Sequence, residues 1–245
     1  MLDTGVHLSA LAADSEALAD LAEGNLDRPV PACPDWTVAD VLGHLGGVYS
    51  WAWLVVRAAG DKPDKDRESP PADRGALVGW FREQRGAVID VLTSSEPDAP
   101  AWTFLRAAEP TVGWWRRRQA LETAIHLYDV ESAAGQPASV APDLAADGVD
   151  ELLTQFLPGY LRRNPVAGLE GTLHLHCTDA EGEWVLDFTG SELEVRREHA
   201  KSDTAVRGPA SDLFVWLWNR EPLDAPGLEV FGRHEVAAAL AEVRL

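Results

Sequence analysis

The sequence predicts an all-helical N-terminal bundle over residues 1–163, followed by a small α+β domain over residues 164–245. Three observations lead there. Apolar residues recur at helical spacing up to Asn164, the period changes to two beyond it, and helices and strands are largely segregated along the chain. With 245 residues and 46% hydrophobic composition, the chain can bury one large core or two smaller ones.

Leu8, Leu11, Leu18, Leu21 and Ala22 set a first helix that Gly24 and Asn25 stop. A proline-rich loop, NLDRPVPACPDW, follows. Thr37 and Asp40 then have capping-box spacing, which starts a second helix with His44 in its second turn. GDKPDKDRESPPADRG, from Gly60, is charged and rich in proline, so it reads as a solvated connection. Leu77, Trp80, Phe81, Gln84, Val88, Val91 and Leu92 fit one face of a third helix. A second loop, SSEPDAPAWTFLRAAEPT, leads to a fourth from Val112 to Ala134, ended by Gly135 and Pro137. Leu144, Val149, Leu152, Leu153 and Phe156 continue the helical period until Pro158 and Gly159 disturb it. Beyond Asn164, GTLHLHCTD, EWVLDFTG and LEVRRE alternate and are separated by turn residues, which predicts an antiparallel meander. TAVRG reads as a further strand, ASDLFVWLWNR as a helix, LEVFG as a short strand and RHEVAAALAEVRL as a last helix. No internal repeat is visible.

Forty acidic against 21 basic residues give a formal net charge of −19. Such a chain repels phosphate backbones and anionic lipid surfaces, so neither nucleic acid nor a membrane is an expected partner. Two cysteines, Cys33 and Cys177, make no disulfide scaffold. The acidic N-terminal segment is unlike a signal peptide, and no apolar run approaches the ~18 residues of a membrane span. The expected location is cytoplasmic.

His44 shares its helix face with Val41 and Val48, and Glu122 and His126 lie four residues apart on another apolar face. A lone histidine on such a face is ordinarily a satisfied core residue, and an i, i+4 pair is ordinarily a helix contact. Together, though, three metal-competent side chains fall on inward faces of two helices, which is how bundles build metal sites. Two imidazoles and a carboxylate suit zinc, with a fourth position open for chemistry, and a cation would offset the cost of burying Glu122. Cys33 is an available fourth ligand that reads more simply as a small buried thiol. His174 and His176 share a strand face and read as a solvent-facing pair, whereas His7, His199 and His234 lie in polar or terminal contexts. The arginines of WWRRR read as a solvated or acid-pairing face, with an anion clamp the minority reading. No GxSxG, P-loop or GxGxxG segment occurs.

The stretches CPDWTVADVLGHLGGVYSWA and ALETAIHLYDVE resemble the two metal-binding motifs of the mycothiol-dependent maleylpyruvate isomerase family. The resemblance covers nearly the whole chain, since residues from Gly171 onward resemble that family's C-terminal domain. It implies a DinB-like four-helix bundle followed by an α+β domain related to sterol-carrier folds. The family's metal ligands then fall on His44, Glu122 and His126, with zinc or another divalent metal and mycothiol as cofactors. LFVWLWNR resembles the family's segment ending in a functional arginine, which makes Arg220 the candidate catalytic residue, with Asn219 where the family pattern has glycine and Arg207 as the alternative.

The chemistry the resemblance implies is an enzyme acting on a small electrophile by isomerisation or thiol S-transfer. A free thiol of pKa ~8.5 is only a few per cent thiolate at neutral pH, and zinc deprotonates a coordinated one. Two other classes fit the sequence. One is a non-catalytic module binding a small molecule or lipid through the helix bearing Phe214, Trp216 and Trp218, and the other is a zinc-water hydrolase.

Overall fold

A computed structural model describes residues 2–244, and the chain divides into two compact units, residues 1–138 and 139–245. The first unit is built from α1 (Thr4–Ala22), α2 (Val38–Arg57), α3 (Leu77–Ser94) and α4 (Val112–Ala134). α1 packs on α3 and α4, and α2 packs on the same two helices, so apolar stripes close around Leu11, Leu18, Leu42, Leu45, Phe81, Val88 and Leu121. The capping box is present, with the Thr37 amide donating to Asp40 Oδ2 at 2.8 Å, and it fixes where α2 begins. Gly135 ends α4 in a left-handed conformation with φ of 72°, a backbone state that costs glycine nothing.

Part of the proline-rich entry loop is ordered as a small antiparallel pair, β1 (Pro29–Val30) and β2 (Cys33–Thr37), which the sequence reading did not anticipate. This hairpin carries Trp36 to the start of α2. The three arginines of WWRRR, expected on a solvated or acid-pairing face, are all buried, which corrects the solvated alternative, while Arg118 pairs with the acid Glu122. Arg116 donates to the carbonyls of Leu92 and Ser95 at the end of α3 and to Thr4 at the start of α1, and so satisfies backbone acceptors at a helix end. His7, placed by its terminal position in a polar context, is also buried, on the α1 face that carries Leu11.

The second unit opens with α5 (Pro142–Glu151), a π-helical turn over Leu152–Phe156 and α6 (Leu157–Arg163). The sequence reading set the domain boundary after these helices, at 163/164. The helical run continues through Pro158 because the Leu157 amide bonds five residues back to Leu152, and the proline then occupies the first turn of α6, where its missing N–H is tolerated.

Five strands follow: β3 (Thr172–Cys177), β4 (Glu183–Asp187), β5 (Glu194–Arg196), β6 (Thr204–Gly208) and β7 (Glu229–Gly232). Their order is β5-β4-β3-β6-β7, with β3 and β6 parallel and the other neighbours antiparallel, so the expected meander forms one half of the sheet. α7 (Ala210–Leu217) packs on α5 and β6, and α8 (His234–Ala241) packs on β3, β6 and β7. Phe214 and Trp216 are fully buried, with the Phe214 ring seated against Gly148 of α5, so these aromatics are core. His174 is buried as well, against the expectation of a solvent-facing pair. Among the described residues no helix is long and apolar enough to cross a membrane.

Candidate metal centre

His44 on α2 and Glu122 and His126 on α4 converge, with one donor atom from each lying within 4.8 Å of the others. Helical period explains the meeting, since i and i+4 place Glu122 and His126 on one face of α4 and packing of α2 brings His44 to it. His44 Nε2 lies 3.1 Å and His126 Nε2 3.6 Å from Glu122 Oε1, and the two rings meet edge to face with centroids 5.0 Å apart. Trp36, delivered by the β1–β2 hairpin, lies beside both rings and stacks on His126.

The partners of these three residues set their chemistry. Asp129, one turn further along α4, holds His126 Nδ1 at 2.9 Å and leaves Nε2 directed at Glu122. A buried carboxylate on the remote nitrogen fixes ring orientation and tautomer, as it does behind metal-bound histidines. Arg118, one turn before Glu122, pairs with Glu122 Oε2. Burial pushes the Glu122 carboxyl up, but the Arg118 charge and the hydrogen bonds from His126 and His44 outweigh it and hold the group well below the usual carboxylate range. Burial pulls the His126 imidazole down, yet the hydrogen bonds to Asp129 and Glu122 raise it on balance. The chain thus supplies its own cation for Glu122. The cost of burying that carboxylate, taken from sequence as an argument for a metal, does not by itself require one.

A cavity of about 150 Å³ adjoins the centre, lined by Val48, Trp51, Arg67, Trp115, Gln119 and Glu122 among others. Gln119 is fully buried, and neither its amide nitrogen nor its side-chain oxygen has a hydrogen-bond partner. An amide left so is costly unless something else meets it. Gln119 was missed in the sequence, although Gln119, Glu122, His126 and Asp129 follow one another at intervals of three, four and three residues, a single helical stripe.

Of the other candidates, Cys33 is half-buried and Cys177 buried, and among the described residues neither is in a disulfide. Arg220 follows α7, its amide bonded to the Val215 carbonyl and its Nη1 to the Trp218 carbonyl. Asn219 before it has φ of 58°, the left-handed state that asparagine tolerates best after glycine. Arg207 on β6 pairs with Glu229 on β7 at 2.9 Å.

Residues 8–131 match the family model of the mycothiol maleylpyruvate isomerase N-terminal domain, and residues 143–239 match that of the MDMPI C-terminal domain. The chain belongs to the mycothiol-dependent maleylpyruvate isomerase family. Like its family it is an enzyme, as the two motifs led us to expect. A crystal structure of the mycothiol-dependent maleylpyruvate isomerase is similar to it at a TM-score of 0.63 and 11% identity, over 94% of this chain and 93% of that one. A histidine-to-alanine mutant of the isomerase matches at 0.62 and 10%, with the same coverage. These likenesses establish the isomerase fold over both units, a helical unit followed by an α+β unit. A sterol carrier protein 2 like structure from Aedes aegypti scores only 0.33 at 19% identity over 41% of this chain, which carries no argument about the second unit. No curated protein matches the chain in sequence.

Proposed function

We propose that this chain is a metal-dependent isomerase that uses mycothiol and acts on a small electron-poor alkene acid of the maleylpyruvate kind. The observation that carries the reading is the convergence of His44, Glu122 and His126 beside a cavity that contains an unpartnered amide. Two imidazole nitrogens and one carboxylate oxygen form the donor set of an open zinc site, and the Asp129 bond behind His126 is the support such ligands have. When bound, a divalent metal there would keep the thiol of mycothiol ionised at neutral pH, a nucleophile able to add to and leave an activated alkene, or to displace a leaving group in S-transfer.

The chain's own residues do the rest. Asp129 holds His126 Nδ1, so that Nε2 is the nitrogen that would give its lone pair to a metal. Arg118 keeps Glu122 ionised and limits its swing. Trp36 covers the two rings and helps exclude water. Gln119 offers one donor and one acceptor to a polar group entering the cavity, which suits the hydroxyls and amides of a sugar thiol better than a bare alkyl thiol. Arg220 remains the candidate catalytic residue of the second unit, by its resemblance to the family's C-terminal arginine.

Elemental analysis of the purified chain, paired with maleylpyruvate isomerisation assayed with mycothiol, with cysteine and with no thiol, tests the reading. The expected result is activity with mycothiol that a chelator abolishes and added zinc restores. His44→Ala and His126→Ala should each lose that activity while remaining folded. Isomerisation that proceeds equally well without thiol, or in chelated protein, would overturn the proposal.

A further inference from the structure

We infer that His174, His176, Glu183 and His199 form a second divalent-cation site, of the kind that holds zinc through four protein ligands. All four lie in the second unit, so the site does not depend on the function assigned to the bundle. His174 and His176 are two residues apart on β3 and therefore share a face of the sheet. Glu183 on β4 is the register partner of His176 and lies on that same face. His199 comes from the connection between β5 and β6.

The donor atoms meet at one point. Glu183 Oε2 lies 3.1 Å from His174 Nε2 and 2.6 Å from His199 Nδ1, and Glu183 Oε1 lies 3.0 Å from His176 Nδ1. One donor atom from each residue falls within 4.8 Å of all the others. A tetrahedral zinc with bonds of about 2.0–2.1 Å places its ligands roughly 3.3 Å apart, so movements of about an ångström suffice. A single carboxylate can satisfy hydrogen bonds from three ring nitrogens. Hydrogen bonding gives no reason, however, for three imidazoles to crowd within 5.2–6.4 Å of one another, where protonation makes them repel. A cation turns that crowding into attraction, because each neutral ring offers it a lone pair.

Burial and anchoring agree with this. His174 is buried, which holds its ring in place beside Glu183. His199 is the exposed member, with 77% of its side chain accessible, but its segment is held two residues earlier. Arg197 grips Asp150 of α5 through both carboxylate oxygens, at 2.5 and 2.9 Å. Three imidazoles and one carboxylate favour zinc and its neighbours among the transition metals over calcium or magnesium. With four protein donors no position stays open for substrate, so the site would bind the β5–β6 connection to the sheet.

Zinc titration against a chromophoric chelator tests this on the full chain. His176→Ala/His199→Ala is the informative variant because both side chains are partly exposed and their loss leaves the core intact. Wild type should bind one zinc more than this variant, and that difference should persist when both carry His126→Ala. His199→Ala alone should weaken the same equivalent by at least about a hundredfold, since even outer-shell partners are worth 10–100-fold. Cobalt bound to His126→Ala protein should show the intense d–d absorption of four-coordinate cobalt. Equal zinc counts and affinities in wild type and His176→Ala/His199→Ala, or a weak six-coordinate cobalt spectrum, would overturn the site.

Discussion

Replacing Gln119 by leucine separates what the bundle needs for stability from what it needs for binding. The two side chains have similar volume, and Gln119 sits fully buried with both polar atoms unpartnered. A buried polar group without a partner costs about 1–3 kcal/mol. Water in the adjoining cavity can meet the amide, which puts the expected gain near the low end, about 1 kcal/mol. For a unit of this size that corresponds to a rise in Tm of roughly 3 °C. The thiol should lose a hydrogen bond worth about 0.5–1.5 kcal/mol, so its apparent affinity should fall by about 2- to 10-fold. Thermal melts and mycothiol saturation curves on the same preparations measure both. A Gln119→Leu chain that melts lower than wild type, or that saturates with mycothiol at the same concentration, would refute the assignment of this amide to ligand recognition.

Asp129→Asn keeps the shape of the His126 partner but removes its charge, and metal affinity measured by chelator competition should drop by about 10- to 100-fold. Burial raises the Asp14 carboxyl to about 6, from 3.8. The folded state therefore binds the extra proton, and stability from this group is lost as pH rises from about 4 through 6. Asp14→Asn should remove that slope in denaturant melts and stabilise the chain at pH 7 by about 1 kcal/mol, the full shift being discounted for partial exposure. At Gly148 an added methyl would come within 2.4 Å of the Phe214 ring, so Gly148→Ala should lower stability. The overpacking costs about 1–3 kcal/mol and outweighs the ~1 kcal/mol of helix propensity gained. Arg220→Ala should reduce turnover while sparing metal content and the circular dichroism spectrum; unchanged turnover would pass the role to Arg207.

The helix boundaries of the bundle were legible where a local rule decides them. Thr37 and Asp40 cap α2 and Gly135 ends α4, each by chemistry confined to one turn. Pro158 misled because a π-turn is set by tertiary packing, and no residue type announces it. His44, Glu122 and His126 could be singled out because helical period predicts which side chains share a face. The stripe did not reveal what surrounds it, so the acid-pairing reading of the WWRRR arginines did not name Arg118 as the counter-ion of Glu122. Alternation likewise put His174 and His176 on one face of the sheet, but read that face as solvent, whereas His174 is buried there. Glu183 is fixed opposite them only by strand register, and His199 arrives by a connection whose course no period describes.

The cavity beside the bundle histidines is lined by Arg67 and by the paired Arg118 and Glu122, so its lining is net positive in a chain whose net charge is −19. An anionic molecule therefore meets repulsion at long range and attraction only over the last few ångströms. At ~0.1 M salt the repulsion reaches about 10 Å, and at 1 M only about 3 Å. The arginine contacts act within that shorter distance and are screened far less. Ionic strength should thus raise the rate of encounter with an anion while barely changing the rate of escape. Salt, which slows most recognition of charged molecules, would quicken this one.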